Sequence, residues 1–365
     1  MRILVVNVGS TGIKLRVIDD DDAVAGSVDL PSPPDLGGGV LSSALAELPP
    51  FDAVGHRVVH GGSEFRSPTL LDEGVMAKLR GLTGLAPLHQ PLALDAIDIV
   101  TKALPHLAAV ACFDTAFHAT LPAEAYTYAI PSRWRELGAR RYGFHGLSHS
   151  WASKRAAEMC ALPPPHARIV TCHLGGGASL AAVADGRCVD TTMGFTPLEG
   201  LVMTTRSGSV DPGLVLWLQT QHGFSAGQVA DNLETSSGLV GLCGSADMRV
   251  VAARAVGGEP SAALAFGVYI HRLRAGIAAM TAALGGLDVL VFTGGIGEGS
   301  SSVRASACAG LRFLGVELDD DANTAGGGDR LISPPEPGAH VLVVKAREDL
   351  EIAAGVRAAL ARSPL

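Results

Sequence analysis

VVNVGSTGIKLRV, residues 5–17, is an apolar run that meets a Gly-Ser-Thr-Gly turn and leaves it as alternating apolar and polar residues. The alternation has the period of a half-buried strand, so the turn joins two strands rather than a strand and a helix. Residues 2–18 therefore read as a β-hairpin. In such a turn the backbone N–H groups from Gly9 to Gly12 can form a nest that holds an anion, and glycine lets a phosphate come close. A plain hairpin turn is an equal local reading. Asn7 stands at the mouth, where its amide could hold a metal-bound water. No Gly-x4-Gly-Lys-Ser/Thr is present, which excludes a P-loop, and the lack of Gly-x-Gly-x-x-Gly argues against a dinucleotide enzyme.

A second stretch repeats the first. In VTCHLGGGASLAAV, residues 170–183, His173 falls where Asn7 stands, Gly175 where Gly9 stands, Gly177 at Thr11 and Ser179 at Ile13. One offset of 166 residues relates all four pairs, a little under half the chain. Two glycine-turn hairpins, each opening a half, point to a duplicated architecture. Chance is the competing reading in a chain with 45 glycines.

Between the hairpins, strands and helices alternate. Residues 53–60 and 108–114 read as strands, 92–104 and 147–161 as helices, the latter stopped by prolines 163–165. Residues 262–284 carry a long helical pattern, 288–295 a buried strand, 339–346 a strand and 348–362 a final helix, while 31–39 and 324–338 are turn-rich loops. This is an α/β pattern, and 365 residues suggest two domains. The balance of 28 basic against 36 acidic residues argues against a nucleic-acid partner. Six cysteines without a CxxC pair read as free thiols in a reducing compartment. No apolar run has a membrane span's length, and residue 2 enters a strand directly without a secretory pattern, so a cytoplasmic location is expected.

Several segments carry chemistry. HRVVHGG (56–62) sets Arg57 in an apolar strand, with His60 and two glycines at its end, where α/β ligands gather; an exposed arginine is the alternative. In CFDTAFH (112–118), Asp114 follows a strand directly, as a Mg²⁺ ligand or a helix cap. His89 lies between prolines in LAPLHQP. RRYGFHGLSH (140–149) spaces His145 and His149 by four, but has no glutamate between them and a glycine at the helix start, which disfavours zinc. The long irregular segment 190–213 holds Arg206 among small residues, suited to bidentate contact with a phosphate. Asp247 and Arg249 in SGLVGLCGSADMR, with the loop FTGGIGEGS (292–300), fit a purine and its ribose. Glu348 opens the last helix, where a solvated glutamate is the ordinary reading.

Together NVGSTGIK, HRVVHGG, CFDTAFHATLP, RRYGFHGLSH, HLGGGAS, DTTMGFTPLEGLVMTTRSG and FTGGIGEGS, in that order over nearly the whole chain, resemble the acetate kinase family, the acetokinase branch of the actin and sugar-kinase superfamily. The resemblance implies duplicated ribonuclease H-like domains with an interdomain active-site cleft, one comprising residues 1–116 plus 350–365 and the other 117–349. It implies Mg²⁺-dependent transfer of the γ-phosphoryl group of ATP to acetate, with Mn²⁺ as a possible substitute, by a homodimer. Propionate or butyrate kinase is the alternative in the same branch. A non-catalytic nucleotide-binding sensor and a pyrophosphate-dependent enzyme compete from outside it.

By the same resemblance, Arg57 and Arg206 would bind the carboxylate and the transferring phosphoryl group, and His145 would stabilise the transition state. Asn7, Asp114 and Glu348 would position Mg²⁺, with His89 and His173 in support. Leu88, Phe144 and Pro197 would wall the acetate methyl. Lys14, His173, Gly175, Gly177, Asp247, Met248, Arg249 and the loop Gly294, Gly295, Ile296, Gly297 and Glu298 would bind the nucleotide. The chain departs from the family pattern at Gly12, Gln90, Gly176, Gly299 and around Arg347.

Overall fold

The computed structural model describes residues 1–9, 12–31, 38–87, 89–162 and 167–362. The tip of the first hairpin (10–11), most of the 31–39 loop, Leu88 and the prolines 163–165 lie outside the described residues. Two compact units form. The first comprises Met1–Ala119, Phe144–Trp151 and Arg347–Leu365, and the second Thr120–Gly143 and Ala152–Ala346.

The first unit is built on a six-stranded sheet of β1 (Ile3–Gly9), β2 (Gly12–Ile18), β3 (Val24–Pro31), β4 (Ala53–Val58), β5 (Thr69–Leu70) and β6 (Ala108–Phe113), in the order β3-β2-β1-β4-β6-β5. The hairpin read from residues 2–18 is β1 and β2, paired antiparallel from Ile3↔Ile18 to Gly9↔Gly12. β1, β4 and β6 run parallel. Both faces of β1 are buried: Ile3 and Val5 meet Leu350, Ile352, Ala353 and Val356 of the helix Glu348–Arg362. Leu4 and Val6 meet Leu41, Ala44, Ala96 and Val100 on the other face. A strand buried on both faces reads as a continuous apolar run, which is why ILVV shows no alternation. The final helix lies close on β4 because Gly55 has no side chain; a Cβ there would stand 2.6 Å from Ile352 and 2.7 Å from Val356.

The second unit repeats the plan. Its strands β7 (Arg168–Leu174), β8 (Ala178–Ala184), β9 (Arg187–Thr191), β10 (Val289–Thr293), β11 (Arg330–Leu331) and β12 (His340–Val343) are ordered β9-β8-β7-β10-β12-β11. Each half therefore has an antiparallel three-stranded meander, two further parallel strands and a two-residue antiparallel edge strand. A register shift falls between the second and third strands of both meanders, at Val17/Ile18 and at Ala182/Val183. The offset between the glycine-turn hairpins is thus the trace of a duplicated α/β fold. The helix Pro260–Leu284 packs with Gly276 over Leu180 of β8. It buries Ala262, Ala265, Tyr269, Leu273, Ile277 and Met280, the one-face spacing of a core helix. Among the described residues no helix is long and apolar enough to cross a membrane, and all six cysteines are free.

Candidate functional site

In the first unit, three parallel strands carry Asn7, Arg57 and Asp114 at or just past their carboxyl ends, the end at which α/β sheets bind ligands. Arg57 donates from Nε to Asp114 Oδ1 at 2.9 Å and from Nη2 to Oδ2 at 2.6 Å. Its Nη1 donates to Asn7 Oδ1 at 3.2 Å. The Asn7 amide donates in turn to Glu348 Oε2 at 2.7 Å, and that oxygen lies 3.9 Å from Arg57 Nη1. Asn7 thus turns its oxygen to the cation and its nitrogen to the carboxylate. Glu348, read from sequence as an ordinary solvated glutamate unless the resemblance held, belongs to this network; its side chain is 15% exposed.

Burial alone would lower the Arg57 guanidinium, but the carboxylates of Asp114 and Glu348 raise it above its ordinary value. Burial pushes the Asp114 carboxyl up, against the pull of Arg57 and of the His145 backbone N–H. Gly9 ends β1 beside this group: a Cβ there would lie 4.0 Å from Arg57 Nη1, so the missing side chain leaves that edge open. Lys14 lies opposite Asn7 in the β1–β2 register and is exposed.

His145 has φ +56, the left-handed region that non-glycine residues rarely adopt. Its neighbour explains the strain. Gly146 donates its N–H to the Asp114 carbonyl at 2.8 Å, and a Cβ on Gly146 would collide with that oxygen. Asp114 thus fixes Arg57 with its carboxylate and the 145–146 backbone with its carbonyl. His149 donates its N–H to the His145 carbonyl as the helix Gly146–Met159 begins. Phe144 is buried, its ring 5.4 Å from that of His60. Gln90, which sequence reading noted only as a departure, bonds both backbone groups of His60 at 3.1 Å. Thr115 Oγ1 accepts from Gly61 N. His89 is the residue before the helix Gln90–Ala103 and makes no side-chain cap.

Among the described residues no three His, Cys, Asp or Glu side chains could hold a metal ion by themselves. Asn7, Asp114 and Glu348 offer only oxygen donors, and Arg57 leaves the cluster one net negative charge. Such a sparse, hard set suits a divalent cation that takes its remaining ligands from phosphates and water.

In the second unit, the corresponding strand ends carry His173 on β7 and Thr293 on β10, which pair in register. The β7–β8 turn is closed by Gly175 N donating to Gly177 O at 2.9 Å. Thr204 holds this turn to the Arg206 loop: its N–H and its Oγ1 both donate to the Gly176 carbonyl, at 3.2 and 3.1 Å. No regular element forms between Thr191 and Pro212. The segment is braced instead by Arg141, which donates to the carbonyls of Thr192 and Met193 and to Glu199. It is also held by Gly238, φ +60, where a Cβ would collide with the Met203 carbonyl. Arg206 donates from Nη1 to the Pro197 carbonyl at 3.2 Å. Burial lowers its guanidinium and Glu234 opposes that.

β10 runs into the helix Gly294–Gly299. Gly294 has φ +78 and lies against the Leu174 carbonyl, 2.8 Å from where a Cβ would stand, and Gly297 is buried. A Cβ on Gly297 would meet its neighbours at 3.4–3.6 Å, ordinary contact distances, so of the two only Gly294 is required by the fold. Gly295 and Gly299 are not, since a Cβ on either meets nothing within 4 Å. Glycine in a helix costs about 0.5–1 kcal/mol relative to alanine, and at Gly295 the bare backbone leaves room for a ligand. Ile296 is half-buried. Glu298 does not face outward: its Oε1 accepts from Gly294 N at 3.0 Å and from Ala346 N at 2.9 Å. Asp247 caps the helix Met248–Val256 and pairs with Arg249 at 2.6 Å, while Met248 turns into the core.

A family model described as the Acetokinase family matches residues 41–354. An acetate kinase of Nostoc punctiforme is 46% identical over 313 residues, 86% of this chain and 77% of that protein. One of Bacteroides fragilis is 43% identical over 319 residues, 87% of this chain and 80% of that protein. Among solved structures, a Porphyromonas gingivalis acetate kinase is similar with a TM-score of 0.89 at 35% identity, covering 98% of this chain and 99% of that one. A propionate kinase of Francisella tularensis is similar with a TM-score of 0.87 at 33% identity, covering 97% and 98%.

Proposed function

The chain belongs to the acetokinase family, and we propose on that premise that it transfers the γ-phosphoryl group of ATP to acetate, giving acetyl phosphate and ADP. An acetate oxygen attacks the γ-phosphorus as the bond to the ADP oxygen breaks. Acetate is already ionised at neutral pH, so no proton need be removed. Such transfers ask the protein for positioning and charge stabilisation and little covalent chemistry.

The observation that carries the reading is the Arg57 guanidinium, locked on one side by Asp114 and presenting Nη1 beside Asn7 and Gly9. Arg57 is the proposed partner of the carboxylate, and Arg206 of the transferring phosphoryl group. His145, held in its left-handed conformation, is the proposed hydrogen-bond partner of that group in the transition state. Phe144 is the proposed apolar neighbour of the acetate methyl. The glycine turn at 175–177, Gly295 and Ile296 are the proposed nucleotide contacts.

Mg²⁺, with Mn²⁺ as substitute, is the proposed cation for Asn7 and Glu348, and when bound it offsets the charge of the phosphate oxygens. Asp114 belongs to this site by orienting Arg57 and the 145–146 backbone.

A cytoplasmic homodimer is part of the proposal. The six free cysteines accord with a reducing compartment. The helix Pro212–His222 buries none of its residues and exposes Leu214, Leu216 and Trp217, an apolar face suited to a second copy.

The test is acyl-phosphate formation by the purified protein with ATP and Mg²⁺, trapped with hydroxylamine, with acetate, propionate and butyrate compared. Preference for acetate is the expected result. Since one methylene is worth only about 1–3 kcal/mol of discrimination, some turnover of propionate is expected as well. Absence of product with every acid would overturn the reading.

A further inference from the structure

The helix Gly294–Gly299 should not hold itself together. It has six residues, four of them glycine, far below the roughly 12–15 at which isolated helices become even marginal. Its order has to come from outside. At its start, Glu298 Oε1 accepts from Gly294 N and from Ala346 N, tying the helix to the chain beyond it. At its end stands Arg304, one of the largest fully buried side chains in the molecule at 1% exposed.

Arg304 Nη1 donates to the carbonyls of Gly297 and Glu298, each at 2.8 Å. Its Nε donates to Asn323 Oδ1 at 2.8 Å and its Nη2 to the Asn323 carbonyl at 2.6 Å. Asn323 is itself buried and donates to the Ser301 carbonyl. Among the described residues no carboxylate pairs with Arg304. Burial brings its guanidinium down to about 10, so it remains charged at neutral pH. A buried cation without a counter-ion is costly, and a packed apolar residue would fill the same space. What the cation supplies is a fork that binds two successive carbonyls at a helix C-terminus, where the backbone dipole is negative.

We propose that Arg304, anchored on Asn323, is the positioning residue of the nucleotide loop: by gripping the Gly297 and Glu298 carbonyls it keeps Gly294–Gly299 in the form that receives the nucleotide. This rests on the nucleotide reading of that loop. It adds a residue that contacts no ligand and acts through backbone alone. Gly295 is left bare for the ligand, and Arg304 supplies the rigidity that the bare backbone lacks.

The test compares the full-length protein with Arg304→Met, Arg304→Lys and Asn323→Ala. ADP affinity is read by calorimetry, and KM for ATP, KM for acetate and kcat are read by steady-state kinetics. Arg304→Met is expected to weaken ADP binding and raise KM for ATP by roughly ten- to a hundredfold, the scale of a misplaced binding element, with KM for acetate unchanged. Arg304→Lys is expected to recover part of the loss, and Asn323→Ala to show a smaller loss of the same kind. Wild-type ADP affinity in a folded Arg304→Met protein, or equal losses in both KM values, would overturn the proposal. If the Met variant does not fold, unchanged ADP affinity in both the Lys and the Asn323 variants overturns it instead. ADP binding is measured without turnover, so a wild-type protein that binds ADP but makes no acetyl phosphate would count against the reaction alone.

Discussion

Asp114 grips Arg57 through two parallel hydrogen bonds, Nε to Oδ1 at 2.9 Å and Nη2 to Oδ2 at 2.6 Å, with both side chains nearly buried. The pair fixes the plane of the guanidinium and leaves Nη1 as the edge beside Asn7 and Glu348. Breaking a buried ion pair from one side leaves an uncompensated charge, at a cost of about 3–5 kcal/mol. Asp114→Ala is therefore expected to lose stability of that order in urea denaturation. Asp114→Asn, which keeps one oxygen for Arg57, should lose less. Equal stability of Asp114→Ala and wild type would show that the pair does not anchor this end of the sheet.

Arg206 is held differently, by the Pro197 carbonyl, on an irregular loop tied down through Thr204 and Gly238. The Thr204 and Gly238 contacts that shape this loop do not pass through the Arg206 side chain. Arg206→Ala should fold with near-normal stability and lose about 10³-fold or more in kcat, the scale of arginines that stabilise a transferring phosphoryl group. A variant with near-full turnover would remove Arg206 from the mechanism.

How far the sequence shows all this depends on the range of the contact. The glycine turns of both hairpins are legible because hairpin chemistry is local, and the 166-residue offset from Asn7 to His173 exposes the duplication. The repeated strand order is not legible, since parallel pairing joins segments tens of residues apart with no local mark. Asp114 reads locally as a Mg²⁺ ligand or a cap and Glu348 as a solvated glutamate, and only the fold brings both to Arg57. Gln90, Thr204 and Arg304 act on backbone groups 30, 28 and six to 19 residues away. Arg304 does leave one signal, a charge on the apolar stripe of Val303, Ala307 and Cys308. Glu298 looks like a ligand from sequence, but its Oε1 is engaged by two backbone N–H groups. Leu88, expected at the acetate methyl, lies outside the described residues.

Gly294 and Gly295 are adjacent glycines with opposite reasons for being glycine. Gly294 needs its positive φ and its contact with the Leu174 carbonyl. Gly294→Ala should therefore destabilise the protein by about 1 kcal/mol or more, from backbone strain alone. Gly295→Ala places a methyl in open space on a helix, so stability should hold or rise by a few tenths of a kcal/mol. If Gly295 is bare for the nucleotide, the same variant should raise KM for ATP. Thermal melts of both variants beside KM for ATP separate the two roles, and an unchanged KM in Gly295→Ala would show that no ligand needs that space.

Acid should weaken the fold in a defined window. His56, His60 and His118 are fully buried in the first unit, and burial lowers them from 6.5 to about 3, about 4 and about 4. The folded chain keeps all three neutral well below the pH at which the unfolded chain protonates them. Their contribution is therefore fully present above about pH 6.5 and is lost as pH falls toward about 4, at up to about 1.4 kcal/mol per pH unit for each histidine. His56 isolates the effect best: its Nε2 has no hydrogen-bond partner, whereas His60 Nδ1 accepts from Gly62 N and His118 Nε2 is bonded to the Phe144 carbonyl. Replacing His56 by leucine removes a buried unsatisfied atom along with the titration. His56→Leu should be at least as stable as wild type at pH 5, and its stability should fall less steeply between pH 6.5 and pH 4.5. Urea midpoints across that range measure the slope. A slope identical to wild type would mean that His56 already takes up its proton in the folded state.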